Sequence, residues 1–313
     1  MIPMLRLQFI IFSLIAIGFF TRKKGLVSRE GQKNITDLVI NIVLPCSIVT
    51  SFVQELPVSA LRDCLTIFII SVCAEFLCAL YAKTAYRGVD EKKRKCLTYG
   101  ILVSNAGFLG NPVAEGVYGP IGLMLTSVYL IPVRIIMWSR GIAIFSGATD
   151  RKETAKKVLT HPCVLACLAG IAIMLAQLFA GISLIPEWLF SLLQTIGRCN
   201  TALSMMVIGM ILSDIDLSQL IDRTVLRYTF DRLILIPCVL GAVLYVLTRC
   251  GLVTGLAPRV SVLLSAMPAA ATTSMLSSKY DCAPEFGTKM VITSTLLSIP
   301  TIFFWGLLLK AAG

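Results

Sequence analysis

S-N-A-G-F-L-G-N-P-V-A-E-G-V-Y-G, running from Ser104 to Gly119, is the stretch whose reading decides the fold. It lies inside an apolar segment that begins near Cys96 and is long enough to cross a bilayer as one helix. The middle of the segment argues against one continuous helix. Gly107, Gly110 and Pro112 fall within six residues. Pro112 removes an amide donor, and its ring pushes against the carbonyl four residues back. Gly110 adds backbone freedom, and Asn111 offers a side-chain amide where a backbone bond is lost. Backbone that unwinds in a bilayer is tolerated only inside protein or beside a water-filled cavity. Such breaks are the usual substrate and ion sites of secondary transporters. A plain proline kink is the simpler alternative. The two glycines, the asparagine and a second copy of the feature favour the unwound reading.

Composition sets the surroundings. The chain has 313 residues, of which 57% are hydrophobic and only 14% charged, and its mean hydropathy is +0.85. Soluble domains carry about a quarter charged residues, so this is an integral membrane protein, read as one membrane domain. The net charge of +11 resides in short loops between apolar spans, where it encodes topology rather than nucleic-acid binding. There are eleven cysteines but no C-x-x-C pair, and His161 is the single histidine. No metal, cofactor or disulfide is expected. Met4–Phe20 reads as an uncleaved first span.

Ten apolar spans follow in order, at about 4–20, 35–53, 61–81, 96–118, 121–145, 162–179, 188–212, 225–247, 260–276 and 287–310. Loops after the odd-numbered spans, with the span ends that border them, hold 19 Lys and Arg, against five on the other side. By the positive-inside rule the first set is cytoplasmic. The expectation is a multi-pass protein of the cell membrane with both termini on the non-cytoplasmic side.

The two halves echo each other. Pro112 and Pro268 are 156 residues apart, and each interrupts the fourth span of its half. L-I-P-V-R-I-I-M-W at Leu130–Trp138 matches S-I-P-T-I-F-F-W at Ser298–Trp305. Five spans per half force the second half to insert upside down. The reading is therefore all-α, with two inverted five-helix repeats, 1–157 and 158–313, and broken crossover helices four and nine. Half-helix N-termini meeting at mid-membrane present free amides that suit anions.

These residues also carry a family resemblance. N-A-G-F-L-G-N-P at Asn105–Pro112, followed by V-Y-G at Val117–Gly119, resembles the N-x-x-x-x-G-x-P…Y-G pattern of the auxin efflux carrier family, which includes plant auxin exporters and bacterial malate and malonate permeases. A-M-P-A-A-A at Ala266–Ala271, S-T-L-L-S-I-P-T at Ser294–Thr301 and L-S-M-M-V-I-G at Leu203–Gly209 look like the family's ninth, tenth and seventh spans. The resemblance covers essentially the whole chain. It implies a scaffold of helices 1, 2, 6 and 7, a mobile transport domain of helices 3–5 and 8–10, and a homodimer. It matches Asn105, Pro112 and Pro268 to the crossover residues. Ala202 stands where the family often has proline, and Thr272 or Thr273 where it often has asparagine.

Charges inside spans mark pathways or internal pairs. Arg134, mid-span, could hold a carboxylate in bidentate fashion, or it could be a structural partner of Glu75 or Glu115. The substrate-binding set is read as Asn105, Gly110, Asn111, Pro112, Arg134, Pro268, Thr272 and Thr273. Glu115 and Asp231 are the candidates for coupling to H+ or Na+, although a near-interface Asp231-Arg232 pair is the favoured reading of those two charges. Arg198 could face a cavity or snorkel outward. The function expected is a secondary active transporter of a small organic anion, a carboxylate, in the lipid bilayer. No nucleotide-binding loop points to direct use of ATP. A non-transporting sensor on the same fold is the alternative. An intramembrane enzyme is disfavoured, because the spans hold no H-E-x-x-H or nucleophile–base set.

Overall fold

The computed structural model describes residues 2–53, 59–147, 156, 159–180, 185–213 and 222–311. Among them the regular structure is helical. The elements are α1 (Ile2–Lys23), α2 (Arg29–Phe52), α3 (Ser59–Ala85), α4 (Glu91–Leu102), α5 (Asn111–Trp138), α6 (Arg140–Ser146), α7 (Pro162–Ala180), α8 (Glu187–Ser213), α9 (Arg223–Arg249), α10 (Ala257–Ser265), α11 (Thr272–Lys279) and α12 (Pro284–Ala311). Seven helical segments among the described residues are long and apolar enough to cross a bilayer. Arg151, Lys152 and Lys157 of the third basic loop lie outside the described residues.

Helix starts follow local chemistry. Ser28, Asp90 and Asp222 cap α2, α4 and α9, each side-chain oxygen accepting from a backbone amide two or three residues on. Prolines set the interior irregularities. The π turns Val39–Val43, Ala106–Gly110 and Asp231–Leu235 each end two residues before a proline, at Pro45, Pro112 and Pro237. The carbonyl that each ring would strike, four residues back, belongs to the central residue of its π turn: Asn41, Phe108 or Leu233. Widening the helix there makes room for the ring. At the third turn the orphaned Leu233 carbonyl accepts from Trp305 Nε1 at 2.9 Å. Inside α5, Gly119 adopts φ 69 and ψ −160, a kink just ahead of Pro120 that only glycine enters without strain.

Contacts divide the chain into two compact units. The first comprises Met1–Arg62, Asn111–Ser127 and Leu159–Ile215. Within it α1 packs along α8, and the second half of α2 packs against α7 and α8. Small residues permit the close approach. A Cβ on Gly18 would meet the Met206 backbone, one on Gly209 the Ile15 carbonyl, and one on Gly170 the Phe52 ring.

The second unit comprises Asp63–Gly110, Val128–Val158 and Asp216–Gly313. Its core gathers Tyr86, Leu97, Tyr99, Tyr228 and Met290, all at most 1% exposed, from α3, α4, α9 and α12 and their ends. Tyr228 Oη donates to the Gly100 carbonyl at 2.9 Å, and Ser71 of α3 donates to the Tyr129 carbonyl of α5 at 2.7 Å. Phe76 and Leu65 on the opposite face of α3 are 64% and 63% exposed, as suits contact with lipid.

The α1–α8 contact gives a direct test. Gly209→Ala should lower the thermal unfolding temperature by several degrees, because the new methyl meets backbone that cannot swing away. Gly88→Ala, where a Cβ has nothing within 4 Å, should leave it unchanged. Differential scanning fluorimetry of the purified variants checks both.

Candidate functional site

The site is built where two helices stop. α4 ends at Leu102, and α10 ends at Ser265. Beyond them the unwound residues Ser104 and Ala269 pair as an antiparallel bridge. Asn105 N donates to the Pro268 carbonyl at 2.8 Å, and Ala270 N to the Val103 carbonyl at 3.3 Å. The break in the first segment therefore falls at Val103–Asn105. The sequence reading had centred it on Pro112, but Pro112 lies in the first turn of α5. There the helix that starts at Ala106 runs on through the π turn Ala106–Gly110, whose widening accommodates the ring and the missing amide. Pro268 lies within the second unwound stretch, 266–271.

Each backbone group released by the breaks finds a substitute. In a continuous helix the Ile101 carbonyl would accept from Asn105 N, and the Met267 carbonyl from Ala271 N. Arg232 takes both places, donating from Nη1 to Ile101 O at 3.0 Å and from Nε to Met267 O at 3.1 Å. Ala269 N, which would have bonded the Ser265 carbonyl, donates to Ser294 Oγ at 3.1 Å. Arg232 thus ties both unwound segments from a third helix, at 5% exposure. Its sequence neighbour does something different. Asp231 accepts from Tyr86 Oη at 2.7 Å and lies 3.9 Å from Arg227 Nε, so the two adjacent charges serve separate networks.

Arg134 lies beside the break. A Cβ on Gly107 would sit 3.9 Å from its Nη2. The side chain is 5% exposed, and its Nη1 has no hydrogen-bond partner among the described residues. It makes no ion pair with Glu75. Asn105 is half-buried, and its carbonyl accepts from Leu109 N and Gly110 N. Gly110 is buried against α10, where a Cβ would come within 2.9 Å of Leu264 Cδ2. Thr272 accepts from Tyr99 Oη at 2.9 Å, while the fully buried Thr273 Oγ1 has no partner among the described residues. Asn111, fully buried, Pro112 and the half-buried Glu115 fall in the first unit. Arg198 is hydrogen-bonded to Gln194 at 3.0 Å on an exposed face.

The second unit thus brings Asn105, Gly110, Arg134, Pro268, Thr272 and Thr273 together around the paired breaks. The sequence reading missed the carbonyl-holding role of Arg232 and the parts of Tyr99 and Ser294. An arginine five residues before Pro237 in an apolar span was a signal for the first. Nothing local marked the other two.

A family profile described as membrane transport protein matches residues 4–306. An uncharacterized transporter of Methanothermobacter thermautotrophicus is 26% identical over 301 residues, covering 95% of each chain. An uncharacterized transporter of Methanocaldococcus jannaschii is also 26% identical, over 321 residues and 99% of each chain.

Replacing Arg232 tests the carbonyl accounting. Each buried carbonyl left unpaired costs about 1–3 kcal/mol, so Arg232→Leu should lower stability in chemical denaturation by at least that much. Arg232→Lys should recover only part of it, since one ammonium cannot reproduce a planar fork spanning two acceptors.

Proposed function

Because the chain belongs to the membrane transport protein family, the auxin efflux carrier family that its motifs resemble, it is a multi-pass membrane transporter and not an enzyme, and we propose that its cargo is a small organic anion bearing a carboxylate. The observation that carries this reading is Arg134: a buried guanidinium with an unfilled donor, set beside a break in a membrane helix. An unpaired buried cation is costly. A planar carboxylate satisfies its fork in bidentate fashion and supplies the missing charge. Asn105, with its side chain at the same break, is a second contact. Gly110 and Pro268 shape the backbone around the cargo, and Thr272 and Thr273 add polar groups.

The proposed architecture is ten transmembrane helices in two inverted repeats, with the fourth and ninth crossing at mid-membrane. Several features support it. Ser104 pairs with Ala269 between the unwound stretches. α4, α10 and α11 have 12, 9 and 8 residues, too short to cross alone. Ala106–Ser146 runs for 41 residues and bends at Gly119, enough for two crossings. The grouping of Met1–Arg62 with Leu159–Ile215 supports a scaffold of helices 1, 2, 6 and 7, with Asn111–Ser127 grouped alongside them, and the remaining helices are the mobile part in alternating access. The charge bias of the loops supports a cell-membrane orientation with both termini outside. Assembly as a homodimer through the scaffold, and coupling to H+ or Na+ at Glu115 or Asp231, complete the proposal.

Uptake of labelled malate, malonate and auxin into proteoliposomes is the test, and uptake of none of them would remove the carboxylate reading. Arg134→Ala should abolish uptake and binding while leaving the folded protein intact, with Arg134→Lys a partial rescue. Unchanged affinity in Arg134→Ala would show that the arginine is structural.

The two asparagines separate cargo contact from helix capping. Asn105→Ala should weaken binding of the transported carboxylate by about 1–3 kcal/mol if the amide touches it. A purely structural amide would instead lower thermal stability and leave affinity alone. Isothermal titration and melting curves on Asn105→Ala and Asn111→Ala read both quantities.

A further inference from the structure

One acid in the second unit is bound by none of the networks above. Glu75 lies in the middle of α3 at 7% exposure, and its Oε2 has no hydrogen-bond partner among the described residues. Two cavities share this side chain. One, of about 300 Å³, lies between α3 and α9, with Tyr129 and Ser265 in its wall. The other, of about 340 Å³, runs along a second stripe of α3 and reaches Leu102, Pro132 and Arg140.

A carboxylate in such a place needs a compensating positive charge. Arg232 lines the same cavity, but its Nε and Nη1 are engaged by the Met267 and Ile101 carbonyls. A metal cation needs a shell of oxygen ligands. Apart from Glu75, the α3–α9 cavity offers only the Ser265, Tyr81 and Tyr129 hydroxyls, among leucine, isoleucine and valine side chains. Arg232 would repel a second cation there. A proton meets both conditions, since it neutralises the acid and asks for no ligand shell.

We propose that Glu75 is a proton-binding site whose charge state sets how firmly Arg232 holds the two unwound segments. With Glu75 protonated, the guanidinium belongs to the Ile101 and Met267 carbonyls, and the Ser104–Ala269 pairing is braced. When the proton leaves to water, the carboxylate competes for the same donors. A hydrogen bond to a carboxylate is stronger than one to a neutral carbonyl, so Arg232 turns toward Glu75 and the brace loosens. Only the acid's O–H bond changes. The other charged and titratable groups lining the two cavities are Cys78 and Tyr81 on α3, Tyr129 on α5, and Arg140 on α6. Asp231 is turned to Tyr86 and Arg227. The switch itself is a property of the protein without cargo; its use in transport rests on the transporter reading above.

The test uses the full chain in nanodiscs with no cargo added. Infrared difference spectra across a pH titration should contain the C=O stretch of a buried carboxylic acid, absent in Glu75→Gln and present but displaced in Glu75→Asp. Hydrogen exchange of amides 103–105 and 269–270, corrected for its intrinsic rise with pH, should speed up several-fold as the wild-type band disappears. In Glu75→Gln it should stay at the slow, low-pH level throughout. An unchanged infrared titration in Glu75→Gln, or exchange that remains equally pH-sensitive in it, overturns the proposal. Uptake of none of the carboxylates alongside an intact Glu75 titration would support the switch and overturn only the cargo.

Discussion

Backbone that leaves a helix inside a bilayer must find new partners, and this requirement governs the second unit. Two helices stop short, at Leu102 and Ser265, and the groups they release are not left to lipid. Each unwound strand serves the other through Asn105 N, Pro268 O, Ala270 N and Val103 O. What they cannot supply comes from helices packed around them: the Arg232 guanidinium from α9 and the Ser294 hydroxyl from α12. Two unwound stretches that lie side by side and run antiparallel can exchange bonds in this way. The pairing therefore brings α4, α9, α10 and α12 to one place.

Proline is the means by which the chain departs from regular helix without losing it. Three π turns precede three prolines at one spacing, each centred on the carbonyl that the ring would strike. At Pro237 the freed Leu233 carbonyl is taken by Trp305. The same turn carries Asp231 and Arg232 and directs them into different networks. A regular helix would place the two adjacent residues about 100° apart; the wider turn alters that spacing where the two charges part.

Buried charge in this unit falls into three kinds. Arg232 is satisfied by backbone and holds the architecture. Arg134 keeps an unfilled donor next to the first break, and Glu75 an unfilled acceptor between two cavities. Neither compensates the other, since no ion pair joins them. A protein built only for stability would gain by pairing or removing both. Each is left open to a transient partner, as in the anion proposed for Arg134 and the proton proposed for Glu75.

The membrane class, the apolar character of the helices and the presence of a break in the segment that begins near Cys96 were legible in the residues alone. They depend on composition and on local backbone chemistry, which act over a few residues. Arg134 and Asn105 were conspicuous in the sequence as a charge and an amide in apolar spans, and the structure sets both beside the paired breaks. The exact position of the break was not legible in this way. Proline weakens a helix on its N-terminal side, but where the chain opens depends on which carbonyls and amides find partners, and those came from residues 268 to 270, more than 150 positions away. The separation of Asp231 from Arg232, the bracing role of Arg232 and the isolation of Glu75 belong to the same class. Sequence places a charge at a depth in the membrane. Only the packing of helices from distant parts of the chain decides which neighbour answers it, because hydrogen bonds and desolvation act over a few ångströms in space, whatever the distance along the chain.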